Sequence, residues 1–203
     1  MTGVSGLVSA SGNSGLNNVS EYKFLSGPEF SKYYGFTEVE VFELLKHFEI
    51  YEKCKDDIKS WYDGYKVFGT EMAIYNTWSI VKYLNLNVYD AYWEKSGRID
   101  NMSKIFKLEG IRNKIIDLIT HRCVEFELME KFDIEDSKNL QTLVNYNLGV
   151  ISDNHVQLFF SFLFELGYLS FDNSDSDKTK FTTPNKEIKS GFARLIRNYS
   201  RNT

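Results

Sequence analysis

The stretch from Ile58 to Leu84, IKSWYDGYKVFGTEMAIYNTWSIVKYL, constrains this chain more than any other. It sets Trp61, Tyr62, Tyr65, Phe68, Tyr75 and Trp78 around an Asp63-Gly64 step. Gly64 is a natural left-handed helix stop, so a helix over about 55–62 has to end there. Gly69-Thr70 can then turn a short hairpin between Tyr65–Phe68 and Glu71–Tyr75. Asn76 is placed to cap a further helix carrying Trp78, Ile80, Val81 and Leu84. Tyrosine and tryptophan bury large areas while their polar tips bond to backbone, so the cluster reads first as a local core. No basic residues interleave with it in the way base stacking needs.

The same economy runs through the rest of the chain. Aromatic residues make up 16 % of 203 residues and apolar residues 42 %, enough for a core built largely on rings. Thr37 and Glu40 form a T-x-x-E capping box ahead of Val41, Leu44, Leu45 and Phe48 at helical spacing. Residues 100–121 read as two helices broken near Gly110. Cys123 to Met129 alternates Val124, Phe126 and Leu128 with Glu125 and Glu127, the pattern of a half-buried strand. Helices follow over 138–146 and 155–166. GYLSF and KTKFTT then read as strands joined by the acidic tip DNSDSD, and Thr183 with Pro184 reads as the cap and first residue of a last helix. The expected fold is mostly α with short β-hairpins: a helical subdomain, then a winged-helix-like module.

Several classes of function are excluded or left without support. The net charge of -4 gives the whole molecule no nucleic-acid bias. Cys54 and Cys123 fit no C-x-x-C pattern and read as reduced thiols. The N-terminus has neither a basic region nor a continuous apolar run, so an intracellular, cytoplasmic protein is expected. His47, His121 and His155 show no metal-ligand spacing, and DNSDSD lacks the glycine and glutamate of a calcium loop, so no metal site is expected. Neither GVSG nor SGNSG is followed by Lys-Ser or Lys-Thr, so neither is a P-loop. No G-x-S-x-G occurs. Asp63 has no second acid or histidine beside it in sequence and reads as a turn cap rather than a base. The last helix carries Lys186, Lys189, Arg194, Arg197 and Arg201. At about 100° per residue Lys186, Arg194, Arg197 and Arg201 share a broad face that can meet phosphates or an acidic partner, or simply keep the helix solvated.

The order of motifs resembles a known family. TGVSGLVSASGNSGLNN, YYGFTEVEVFELL, IKSWYDGYKVFG, IYNTWSIVKYL, Tyr92-Trp93, FELGYLSF and TPNKEIKSGF follow one another as in the C-terminal half of the AAA-ATPase-like proteins, P-loop ATPases often fused to a PD-(D/E)XK nuclease-like domain. The resemblance covers nearly the whole chain, and WYDGY followed by IYN is its most specific part. It divides the chain into a remnant of the ATPase core (1–36, strand end and loop), a helical region with the WYDGY/IYN hairpin (37–137), and a winged-helix-like module with a basic terminal helix (138–203). It implies that Thr2, Gly3 and Ser5 lie near nucleotide. It implies that Trp61, Tyr62, Asp63, Gly64, Tyr65, Tyr75, Asn76 and Trp93 form a signature face toward a partner or ligand. Two positions depart from the family pattern: Gly6 stands where a Lys or Arg is usual, and Thr77 where Pro is usual.

The resemblance also implies that the family's Walker A and Walker B elements lie upstream of the TGV strand. ATP and Mg2+ are therefore implied only for the full-length family, with no cofactor in this chain and no catalytic residue. The expectation is a C-terminal fragment that is non-catalytic alone and acts through protein–protein contacts, with a protein partner or a missing ATPase half and no membrane. The alternatives are a nucleic-acid-binding winged-helix module and a trans-acting half of a split ATP-binding protein.

Overall fold

The computed structural model describes residues 22–93, 105–120, 123–129, 132, 134–144, 152–172 and 179–201. These are mostly helical, with two small antiparallel three-stranded sheets. After a short α1 (Pro28–Ser31) and β1 (Phe36–Thr37), α2 spans Glu38–His47. Its capping box is formed: the Thr37 side chain accepts the Glu40 N–H, and the Glu40 carboxylate accepts the Thr37 N–H at 2.8 Å. α3 (Tyr51–Tyr62) starts a turn earlier than its sequence suggests and ends at Asp63, with Gly64 at φ 107°. β2 (Tyr65–Lys66) and β3 (Ala73–Tyr75) make the expected hairpin, with Gly69 in the left-handed region at φ 71°. The hairpin gains a third strand that local reading missed. β1 pairs with β3 in the order β1-β3-β2, Phe36 opposite Tyr75 and Tyr65 opposite Ile74. Asn76 caps α4 (Thr77–Leu86), its side chain accepting the Ser79 N–H at 3.2 Å.

In the second half, α5 (Glu109–Ile119) runs through Gly110. The expected break is not at that glycine, which sits in the first turn, where a missing side chain costs least. Ile105 to Lys107 form a 3₁₀ turn ahead of it. The expected seven-residue strand shortens to β4 (Val124–Glu125), although Phe126 keeps the alternation of buried and exposed side chains. α6 (Ile134–Val144) and α7 (Asp153–Glu165) lead to β5 (Ser170–Phe171) and β6 (Lys180–Thr182). The second sheet has the order β4-β6-β5, with Val124 and Phe171 flanking Phe181. Beyond Asp172 the acidic tip lies outside the described residues.

α8 spans Lys186–Arg201, so Thr183 is not its cap. The side chain of Asn185 accepts the Ile188 N–H at 3.2 Å, and Pro184 lies one residue before the cap. The segment ahead of the cap has a distant contact. A β-carbon at Gly64 would run into the Pro184 carbonyl, so the turn after α3 packs against the backbone that leads into α8.

Two clusters of buried side chains result. One holds Val41, Leu45, Ile58, Ile80 and the tyrosines Tyr62, Tyr75, Tyr83 and Tyr92. The other holds Ile111, Ile115, Leu163 and many phenylalanines, among them Phe106, Phe160, Phe164, Phe171, Phe181 and Phe192. The Lys66 N–H donates to Oγ of buried Ser170 at 2.8 Å, tying the edge of the first sheet to β5 of the second. Among the described residues no helix is long and apolar enough to cross a membrane.

Candidate functional site

Thr2, Gly3 and Ser5 lie outside the described residues, so the structure says nothing of their place. The basic residues of α8 do not form an even stripe. Lys186 lies over the Trp61 ring, 4.8 Å from its centroid. Lys189 and Arg194 are half-buried, and burial lowers the pKa of the Lys189 ammonium. Arg197 and Arg201 stand exposed.

The signature residues are separated by the pleat of the first sheet. Tyr75 points to the tyrosine-rich cluster and its neighbour Ile74 to the other, because successive side chains leave a strand on opposite faces. Tyr62 also enters the tyrosine-rich cluster. Its hydroxyl donates to the Asp90 carbonyl and accepts the Asp90 N–H, each at 3.2 Å. Trp61 lies at that cluster's margin, stacked on Tyr89. Asp63 accepts the Gly64 N–H at 2.7 Å, as a turn residue does, and burial raises its carboxyl pKa against the opposing effect of that bond.

Tyr65, Asn76 and Trp93 come together with residues the signature does not include. With Tyr75 they line a cavity of about 140 Å³, together with Phe24, Tyr34, Ile74, Thr77 and Trp78. Phe24 holds the arrangement from one side, its ring 5.8 Å from both Tyr34 and Tyr65. The Tyr34 hydroxyl is anchored to the Tyr22 carbonyl at 2.6 Å. The Trp93 indole N–H donates to the Leu166 carbonyl at 3.3 Å. Trp78 was expected on the core side of α4 but is 44 % exposed at the cavity, because Ser79, Ile80 and Tyr83 occupy the buried face. Val81 is exposed for the same reason.

The wall of this cavity carries an unsatisfied polar group. Tyr65 is 2 % exposed, and its hydroxyl has no hydrogen-bond partner among the described residues. The side chains of Asn185 and Asn76 are polar neighbours without forming a well-shaped bond to it. Burial, and then the charge of Glu187, hold this phenol neutral far above the usual range.

Glu187 is the residue that sequence reading passed over. It is fully buried. Ser79 Oγ donates to both of its oxygens, at 3.0 and 2.9 Å, and the Trp93 N–H donates to Oε1 at 2.6 Å. One carboxylate thus joins α8, α4 and Trp93. A signal existed: Glu187, Gly191 and Leu195 recur at four-residue spacing on the buried stripe of α8.

Chemically, the cavity offers ring faces, a neutral phenol and an amide. Among the described residues neither a histidine nor a cysteine lines it. Among the described residues no three His, Cys, Asp or Glu side chains are grouped to hold a metal ion. Both cysteines are free, with Cys54 buried and donating to the Ile50 carbonyl at 3.0 Å. In comparisons with known proteins, no family model, no curated protein and no solved structure matches this chain.

Proposed function

We propose that this chain is a protein-binding region of the AAA-ATPase-like kind, non-catalytic by itself, whose contact surface is the outer side of α4 and the turn that follows it. The observation that carries this reading is the exposure of Trp78, Val81, Leu86 and Val88 on that side. Apolar side chains grouped on a surface mark contact sites. The signature residues support it from beneath, since Asn76 starts α4, and Tyr62 and Tyr75 lie in the cluster under it.

We read the second half as winged-helix-like. The succession α5, β4, α6, α7, β5, β6 and the strand order β4-β6-β5 favour that reading, which takes in α5 and β4 ahead of residue 138. In such a module α7 holds the place of the helix that reads a DNA groove. Its sequence, DNHVQLFFSFLFE, contains no Lys or Arg, and Leu158, Phe159, Phe160 and Phe164 are buried. A helix of that composition has no cation to offer a phosphate. Protein contact is therefore favoured over nucleic-acid binding.

The test places a photo-crosslinking residue at Val81 in cells, with exposed Glu71 as the control position. A discrete adduct with a second protein is expected from position 81 and not from 71. The purified chain is expected neither to turn over ATP nor to bind DNA or RNA with salt-dependent affinity. ATP turnover that Asp63→Ala abolishes, salt-dependent nucleic-acid binding, or no adduct from position 81 would overturn the reading.

A further inference from the structure

We propose that the cavity at the start of α4 is an aromatic cage for a compact alkylated ammonium group, walled by Phe24, Tyr34, Tyr65, Trp78 and Trp93. The inference goes beyond the contact surface on α4, and either can fail without the other.

The composition of the wall points to this ligand class. Ring faces carry the negative lobe of the aromatic quadrupole, and an organic cation placed among several of them is attracted without a matched set of hydrogen bonds. The size agrees. The cavity is small, about 140 Å³, a size that suits one compact head group. The Glu187 carboxylate, which accepts the Trp93 backbone N–H at 2.6 Å, lies behind the wall, so the field there suits a cation and opposes an anion.

Glu187 has a second part, as a positioning residue. By bonding Ser79 and the Trp93 N–H it fixes Trp93 against the start of α4, where Trp78 stands. The protein uses the same attraction elsewhere: Lys82 lies over Trp78 at 4.6 Å and Lys186 over Trp61 at 4.8 Å from the ring centroids.

The chain has three tryptophans, and Trp61 does not line the cavity, so it serves as an internal control. The experiment follows the indole N–H signals by NMR during titration with tetramethylammonium, choline and the uncharged choline isostere 3,3-dimethylbutan-1-ol. Saturable shifts of Trp78 and Trp93 with the two cations are expected, with Trp61 unmoved and the isostere at least tenfold weaker. Trp78→Ala, at an exposed position that leaves the core intact, is expected to weaken cation binding about tenfold. A short peptide bearing trimethyllysine, compared with choline, tells a modified side chain from a free small molecule, and tight binding of either one supports the cage. Equal binding of the isostere, shifts that survive Trp78→Ala, or no saturation by any cation would overturn the proposal.

Discussion

The two buried clusters solve the same packing problem with different residues. The cluster of the second half is filled by phenylalanines, with Phe181 stacked on Phe126 at 4.1 Å and contacting Phe164 and Phe171, each at 5.3 Å between ring centroids. These rings carry no polar atom, so only shape has to be satisfied. The cluster of the first half is filled by tyrosines, and each hydroxyl has to find a partner or lose one. Tyr62 bonds to Asp90, Tyr83 to Tyr89 at 3.2 Å, and Tyr92 to the Val88 carbonyl. Tyr75 finds none among the described residues. The tyrosine-rich half is thereby tied to the 88–90 turn by hydrogen bonds of its rings, while the rings around Phe181 pack without any. The cavity is lined by residues of the first half, with Tyr65, a tyrosine packed among the phenylalanines, in its wall.

The contrast can be broken at its strongest point by Phe181→Ala. Losing a fully buried ring from the centre of the second sheet is expected to cost about 3–5 kcal/mol, read from chemical denaturation. A smaller loss would mean that the neighbouring phenylalanines close over the gap.

Next in size is Gly64→Ala. Its backbone is left-handed at φ 107°, and the added carbon meets the Pro184 carbonyl, so about 2–3 kcal/mol is expected to be lost. An unchanged denaturation midpoint would show that the α3 turn and the start of α8 do not depend on each other.

The paired substitutions Tyr62→Phe and Tyr75→Phe sharpen the comparison inside one cluster. Removing the Tyr62 hydroxyl takes two hydrogen bonds from Asp90, although its carbonyl keeps the Tyr92 N–H at 3.1 Å, and is expected to cost about 1–2 kcal/mol. Removing the partnerless Tyr75 hydroxyl is expected to be neutral or stabilising. Equal losses would erase the distinction between satisfied and unsatisfied tyrosines.

The smallest effect concerns the helix that covers the tyrosine-rich side. Hydrogen bonds from Thr37 lower the Glu40 pKa. A carboxylate with a depressed pKa stabilises the fold above its ordinary pKa, and that contribution disappears as pH falls through the lowered value. Glu40→Gln is therefore expected to narrow the stability difference from the parent on acidification, followed by denaturation midpoints at descending pH. A difference that stays constant with pH would remove the capping box from the account.

How much was legible follows from the range of each interaction. The capping box of Thr37 and Glu40, the stop at Gly64, the hairpin around Gly69 and the Asn76 cap all depend on residues within a few positions, and the folded chain keeps them. Phe36 and Thr37 were not legible as a strand, because two residues acquire strand character only from a partner, here Ile74 and Tyr75. The cap of α8 is Asn185 and not Thr183, and Pro184 between them packs against Gly64, far away in sequence. At the cavity, Tyr65, Asn76 and Trp93 were singled out from the chain, whereas Phe24 and Tyr34 gave no local sign.

By itself, then, the sequence determined the cap of α2, the stop of α3, the cap of α4 and that aromatic rings carry the packing, because propensity and capping act over single turns. Only the tertiary structure decided which rings are buried and which line a cavity, and that Glu187 would join α8 to Ser79 and Trp93. Those outcomes depend on contacts between residues about a hundred positions apart, and a local pattern holds no information about which distant atom will satisfy a buried charge.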